Sequence, residues 1–570
     1  MPLAITPGVR FLATAVPKLI IPPLFVHTVL RCFGPALYPS FQLSRGLVAC
    51  IWLFTLPIWL FIYAQYVHLA RLHEAKRLGA ELIPQVKGKY PGNIDLLWSN
   101  FFRKDLYLGD GFARSIDSHG TIFANNVLGD YRVITIEPQH VKQILTFDFN
   151  KFEKGPMFNK IAVSVLGGGV FNSDGERWQF HRKLTRPFFV KERITDFGIF
   201  DTKSSIALQK MQERFDQGHA IDFQDLVSRF TIDSACEFLF GTPIYSLHDP
   251  LPRPGYESES EEVDTPSNRF ARAFANAQTT IATRGRLGNI WPLFEILKDR
   301  TADDMKVVRD FIEPIVQDAM DKRKKGEVVN EHTLLHHLLD ASEDMKLIVD
   351  EIINIMLAGR DTTAGLLTFV AYCLATNPDV LSRLREEILS TIGASRAPTF
   401  EDVRTMKYLR AVINETLRLF PSVPFNSRNT NQATTLDGKD GKKLFIPAGT
   451  RVAYSNLLCQ RHKPYWGEDA DIFDPDRFLD ERVKKYLTPN PFIFVPFNAG
   501  PRICPGQQFA YHETSFFIIR MLQQFDQISL APDCQPPNSL PPAIWETETG
   551  GTPRKKIEQM VLQSHLTMYA

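Results

Sequence analysis

The residues best suited to chemistry lie in one stretch near the C-terminus. It reads Phe497-Asn498-Ala499-Gly500-Pro501-Arg502-Ile503-Cys504-Pro505-Gly506 and runs into GQQFAYHETSFFIIRML, which has the pattern of a helix. A cysteine just ahead of a helix meets free N–H groups and the positive end of the helix dipole. Both favour the thiolate, the form that binds a metal. Pro505 has no N–H, so the amides of Gly506 and Gln507 are the expected donors to sulfur. Phe497 can shield the sulfur from water. Gly500 and Gly506 lack side chains, which leaves room for a flat macrocycle and allows unusual dihedrals. A second stretch, Ala358-Gly359-Arg360-Asp361-Thr362-Thr363, interrupts a long apolar run. Glycine inside a helix costs about 1 kcal/mol against alanine, so its presence calls for a reason. Ala358 and Gly359 leave space beside the helix, and Asp361 and Thr362 are suited to relaying protons. Arg360 points elsewhere on the helix and reads as an ion-pair partner.

The pattern Phe-x-x-Gly-x-Arg-x-Cys-x-Gly resembles the haem-binding loop of the cytochrome P450 monooxygenases at every fixed position. The resemblance implies haem b, with Cys504 as axial ligand of the iron, Phe497 and Gly506 beside it, and Arg502 at a propionate. Ala358 to Thr363 resembles the oxygen-activation motif of that family. Thr362 would then hold oxygen and a water near the iron, while Asp361 feeds protons. Trp178 and Arg182 stand four apart in DGERWQFHRK, so they share a helix face capped by Asp174 or Ser173. They match the family's Trp-x-x-x-Arg helix, which contacts the propionates. Arg428 matches a further propionate partner. Taken singly, each arginine is an ordinary surface residue; the joint pattern is what lifts them. Glu415 and Arg418 face each other across a helical turn, and the family reading is a buried structural pair completed by Arg477.

The elements that must position these residues are mainly helical. Leu334 to Asn377 contains two helices, the second long and starting near Ser342. Thr121 to Pro138 has two β-rich runs flanking Gly129-Asp130, the signature of a hairpin. Tyr245 to Asn268 reads as a loop, with Glu257, Glu259, Glu261 and Glu262 on a solvated face. The expected fold is mainly α with a small β part: a single-domain haem-thiolate fold over 93–570, preceded by a membrane anchor.

The anchor is Leu47 to Tyr66, LVACIWLFTLPIWLFIYAQY, which carries no charge. About 20 apolar residues suffice to cross a bilayer as a helix. Trp52, Trp59, Tyr63 and Tyr66 suit the headgroup level, and Pro57 kinks the span without forbidding it. Arg71, Lys76 and Arg77 follow it, against Arg45 just before it, and that modest excess puts the C-terminal bulk in the cytosol as an expectation. A cleaved signal peptide is not expected, because the best apolar run begins too far in. Residues 1–46 form an interfacial segment or a further span around Phe11 to Leu30, and two spans would change the orientation of the N-terminus. Residues 67–92 form a linker.

Composition narrows the function classes. The 570 residues carry a formal net charge of +1, which gives no electrostatic reason to expect a nucleic-acid partner. The seven cysteines show no disulfide or zinc spacing, which suits a reducing compartment. No phosphate-cradling glycine loop is present, and only a short tail follows Cys504, so a fused flavin reductase is not expected. Electrons are therefore expected indirectly from NADPH, through a membrane-bound NADPH-cytochrome P450 reductase, with cytochrome b5 as a second donor. Lys183 and Arg186 are candidates for that docking face. The endoplasmic reticulum membrane follows as the expected location.

The stretches NIMLAGRDTTAGLL, ETLRLFPSVPFN, LGGGVFNSDGERW and TIDSACEFLFG look like the fungal branch that hydroxylates n-alkanes and fatty acids. Val163 to Phe171, Ile355, Ala358, Val423, Pro424 and Phe425 are candidate pocket walls. A fatty acid would need a polar clamp for its carboxylate, and the sequence names none. Two other substrate classes compete: polycyclic aromatic xenobiotics and secondary metabolites. A non-catalytic haem sensor needs no proton relay, so Asp361-Thr362 argues against it. A haem-thiolate isomerase of the same fold would work without NADPH.

Overall fold

The computed structural model describes residues 5–38, 42–96, 107–189, 197–252, 264–327, 333–438 and 441–570. The acidic run at Glu257, Glu259, Glu261 and Glu262 lies outside them.

Two apolar helices open the chain, α1 (Pro7–Leu37) and α2 (Arg45–Arg77), and they pack on each other. Both are long and apolar enough to cross a membrane. Helix α1 stays continuous through Pro17, Pro22, Pro23 and Pro35. Its start is tied to the body of the protein, where the Gly8 amide donates to the Glu295 carbonyl at 3.1 Å. Helix α2 runs past its apolar stretch and docks its far end. Ala75 is buried, and the Arg71 guanidinium lies 4.2 Å from the centre of the Tyr131 ring.

The segment after α2 joins the β part. Strand β1 (Ala80–Leu82) pairs in parallel with β8 (Lys443–Ile446), which also pairs with β7 (Thr434–Asp437). A six-stranded sheet holds β2 (Gln85–Val86), β3 (Ile122–Val127), β4 (Asp130–Thr135), β9 (Arg451–Ser455), β6 (Phe425–Thr430) and β5 (Phe152–Glu153), in that order. The β3–β4 hairpin turns at Leu128-Gly129, one residue earlier than the sequence pattern suggests. Val127 pairs with Asp130, and both turn residues have positive φ, 50° and 85°. Positive φ at both central positions is the turn whose twist matches a hairpin.

Helices make up the rest. Those that build the site are α3 (Gly175–Thr185), α4 (Phe223–Phe240), α5 (Pro266–Leu287), α6 (Met345–Thr376), α7 (Lys407–Leu419) and α8 (Gln507–Gln524). Asp344 caps α6 by accepting from the amides of Lys346 and Leu347, which satisfies two of its free N–H groups. Helix α6 is buried from Ile348 to Met356 and again from Thr363 to Leu374. Between them, Leu357, Ala358, Gly359, Asp361 and Thr362 are only half-buried. A helix apolar all round belongs in a core, and this one loosens where a cavity meets it.

A fully buried ion pair lies on α7. Arg418 donates from Nε and Nη2 to the two Glu415 oxygens at 2.7 and 2.8 Å, and to the carbonyls of Gln460, Ala470 and Ile472. Arg477 Nε approaches Glu415 Oε1 at 3.5 Å. The triad expected from the motif is assembled and fully buried.

Candidate active site

Cys504 sits between a 3-10 turn (Gly500–Arg502) and the first turn of α8. Its own amide donates to the Phe497 carbonyl at 3.0 Å. Burial raises the Cys504 thiol pKa, while the Gly506 amide on the sulfur and the charge of Arg182 pull the other way. The Gly506 amide therefore does what the loop sequence predicts. The two glycines differ, however. Gly500 has φ +67°, and a Cβ there would lie 1.9 Å from the Leu145 carbonyl oxygen, so only glycine fits. Gly506 has an ordinary φ of −83°, and the expectation of an unusual dihedral there is overturned. A Cβ at Gly506 would meet Phe189 at 3.7 Å and the Cys504 sulfur at 3.9 Å. Those are normal contacts, so what its missing side chain leaves is free space beside the sulfur. Phe497 packs on Tyr511 with ring centres 5.1 Å apart.

The sulfur opens onto a cavity of about 1160 Å³ whose wall includes Phe497, Arg502, Gly506, Trp178, Arg182, Arg428 and Thr362. The wall is cationic near the thiolate. Arg502 stacks over Trp178, 4.5 Å from the ring centre, and donates to Asp174 Oδ1 at 2.6 Å. Its Nε is buried without a hydrogen-bond partner. Burial first, then the nearby Arg428, push the Arg502 pKa down to about 10. Arg428 donates to Asn426 Oδ1 at 3.0 Å and the Ser427 carbonyl at 2.8 Å. Lys154, which the sequence reading missed, also lines the cavity. Burial, Arg428 and Arg502 hold its ammonium pKa well below the usual lysine range.

Asp174 organises this group. It is the N-cap residue of α3, but its carboxylate does not cap the helix. It accepts instead from the amides of Lys154 and Gly155, both at 2.8 Å, and from Arg502. Arg182 also lines the cavity and has a protein partner in the thiolate loop. Its Nη2 donates to the Ile503 carbonyl at 2.6 Å, which places its charge beside Cys504. Lys154 carried no motif. Its only signal was a cation beside Gly155-Pro156, and nothing local distinguishes that from a surface lysine.

The relay residues separate. Thr362 faces the main cavity, where its hydroxyl donates to the Ala358 carbonyl at 2.6 Å. Asp361 faces a smaller crevice shared with Arg360 and His565 and accepts from Gln278 at 2.6 Å. A Cβ at Gly359 would meet only Ala235, at 3.9 Å, so the helix face beside Thr362 is open. Of the expected walls, Leu166, Val170, Phe171, Ile355, Ala358, Val423 and Phe425 line the cavity. Val163 is about half exposed, and Pro424 is not part of the cavity wall.

The wall suits a flat dianion with a metal at its centre. The Cys504 sulfur faces the cavity, open space lies beside it, and of the desolvated cations around it Arg502 keeps an unused donor. Those features, set on a mostly helical fold with a small sheet, define a haem-thiolate oxygenase. The chain belongs to the cytochrome P450 family, whose family model, Cytochrome P450, matches residues 91–552. It is similar to Cytochrome P450 monooxygenase g430 of a Fusarium species, 34% identical over 85% of this chain and 86% of the relative. It is also similar to Cytochrome P450 52A13 of Debaryomyces hansenii, 37% identical over 74% of this chain and 81% of the relative. Cytochrome P450 52A9 of Candida maltosa is 38% identical over 74% of this chain and 79% of the relative.

The protein is thus a monooxygenase that takes haem, dioxygen, a substrate and electrons from a redox partner. When bound, the haem iron supplies dioxygen activation: one oxygen atom enters a C–H bond, and the other leaves as water after two electrons and two protons arrive. The chain binds, orients and keeps the site dry. The two N-terminal apolar helices fit a membrane anchor.

Proposed function

We propose that this monooxygenase hydroxylates long unbranched lipids, fatty acids or n-alkanes, at or near the chain end. The observation that carries the reading is the cavity. It is about 1160 Å³, large enough for the cofactor and a chain beside it, and Phe171, Ile355, Val423 and Phe425 make its wall apolar near Thr362. The membrane anchor supports it, because a lipid substrate is concentrated where the anchor would lie.

Within this reading Cys504 ligates the iron, and Gly506 and Phe497 shape the sulfur's surroundings. Lys154, Arg428, Arg502 and Trp178 hold the propionates. Arg182 steadies the thiolate loop through Ile503. Thr362 holds a water on the cavity side, and Asp361 takes protons from the crevice it shares with Arg360 and His565. Residues 47–66 span the endoplasmic reticulum membrane, 67–92 join the span to the domain, and 93–570 face the cytosol. Lys183 and Arg186, both exposed on one side of α3 and its extension, receive the NADPH-cytochrome P450 reductase. Cytochrome b5 is a second donor at the same face.

The test is incubation of the membrane-bound protein with reductase, NADPH and dodecanoic acid, with products identified by mass spectrometry. A carbon monoxide difference spectrum on the same sample reports ligated haem. Terminal or near-terminal hydroxydodecanoate is expected. No product from well-ligated protein with dodecanoic acid, alkanes or other chain lengths would overturn the linear-lipid reading.

A further inference from the structure

A second group of cations lines the same cavity on the sheet side. Arg132 on β4 and Arg451 on β9 are direct register partners, so their side chains leave the same face of the sheet. Ile134 and Ala453, two residues further along that face, line the cavity with them. The two guanidiniums share one carboxylate. Arg132 donates from Nε to Asp130 Oδ2 at 2.8 Å and from Nη2 to the same oxygen. Arg451 only approaches that oxygen, at 3.7 Å. Its Nη1 reaches the Gly285 carbonyl at 3.4 Å, and its Nη2 is buried with no hydrogen-bond partner. Asp130 is the single carboxylate residue on the cavity wall among the described residues. A third cation on this side, Arg286, is held by Ser564.

This group is separate from the one near Cys504. The charges acting on Arg451 are those of Arg132 and Asp130; those acting on Arg502 come from Arg428, Asp174 and Glu153. Burial and Arg132 push the Arg451 pKa down to about 10. A buried charged donor left unmade is costly, and a planar guanidinium matches a carboxylate with two parallel hydrogen bonds. The sheet-side group therefore carries more cations than anions and has room for an added carboxylate. A cavity with an apolar wall, the Cys504 sulfur at one station and a guanidinium with a free Nη2 at another fits a molecule with an apolar body and one anionic end.

We propose that Arg451, with Arg132 beside it, is the carboxylate subsite for a fatty-acid substrate, holding the head while the chain runs over Ile134 and Ala453 towards Thr362 and Cys504. The subsite rests on the linear-lipid reading above. Holding the head at the sheet makes the far end of the chain the part presented for oxidation.

The experiment compares dodecanoate with methyl dodecanoate, the same chain without its charge, in the full-length holoenzyme with reductase and NADPH. Spectral titration gives binding, and product analysis gives kcat/KM. Arg451→Gln is expected to lower the dodecanoate-to-ester ratio of kcat/KM at least tenfold and to spread hydroxylation over more carbons. Arg451→Lys is expected to recover part of the ratio. An unchanged ratio in Arg451→Gln with full carbon monoxide-competent haem overturns the subsite and leaves the linear-lipid reading in place. Wild-type protein that binds neither acid nor ester overturns both. Should Arg451→Gln fail to take haem, Asp130→Asn decides: it removes the competing anion, so tighter dodecanoate binding relative to ester is expected. Equal or weaker relative binding overturns the subsite.

Discussion

Arg418 and the cavity arginines are charges taken from water in the same protein, and they end in opposite states. Arg418 is fully buried, and its hydrogen bonds to Glu415, Gln460, Ala470 and Ile472 use all the donors a guanidinium has. Arg502 and Arg451 keep one buried nitrogen each without a partner. The first arrangement is closed and can only hold the fold. The second is open, and its missing acceptors must come from something that is not protein. Unsatisfied donors on a cavity wall thus separate binding charges from structural ones more sharply than burial does.

The comparison breaks most visibly at Glu415. Glu415→Ala strands Arg418 in a buried site, at a cost of about 3–5 kcal/mol. That is a large share of a typical total stability of about 5–15 kcal/mol. Little haem-loaded protein should accumulate, and what does should turn over normally per haem. Thermal denaturation and haem content per chain check this. Normal yield would mean the buried Glu415–Arg418 pair is dispensable.

Glu513 supplies an intermediate case, a buried carboxyl with no cation. Both of its oxygens lack a well-formed hydrogen bond. Burial pushes its pKa to about 8, against the hydroxyls of Thr363 and Ser234, which pull it down. It stays protonated in the fold, whereas the unfolded chain releases that proton near 4.5. Between these values the native state binds more protons, so stability falls as pH rises from about 4.5 to about 8. Glu513→Gln removes that dependence. Its melting temperature relative to wild type should climb steadily across this window. A constant difference from pH 5 to pH 8 would mean Glu513 is ionised in the fold.

The smallest effect is expected at Lys154. Lys154→Met removes a desolvated ammonium that lacks a carboxylate of its own, so the haem-free chain should melt no lower than wild type. Haem should leave roughly tenfold faster, the size of one charge-assisted hydrogen bond. Haem release measured by absorbance, beside the melting of the haem-free protein, separates these. A variant that melts lower without haem would move Lys154 to the closed class.

Much of this is legible in the sequence alone. The thiolate loop, the Trp178 and Arg182 helix, and the Glu415, Arg418 and Arg477 triad are short patterns whose chemistry restricts residue type at each place. The long helix from Met345 to Thr376 followed from a continuous apolar run. The hairpin turn was displaced by one residue, because Gly129 marks a positive φ without showing whether it is the first or second turn position. The Arg182 contact with Ile503 was not legible, because a shared helix face does not say which backbone carbonyl a long side chain reaches.

What the sequence determined by itself is the chemistry of the centre. A cysteine flanked by glycines before a helix, and an Asp-Thr pair inside an apolar helix, are local patterns, and local patterns survive in one dimension. Tertiary structure alone decided which charges are open. Lys154 meets Arg428 and Arg502 only because β5 pairs with β6 and Asp174 draws the Lys154 amide and Arg502 together. Arg132 meets Arg451 only because β4 lies beside β9, more than three hundred residues on. Whether a charge is satisfied depends on every neighbour within a few ångströms, and most of those neighbours are distant along the chain.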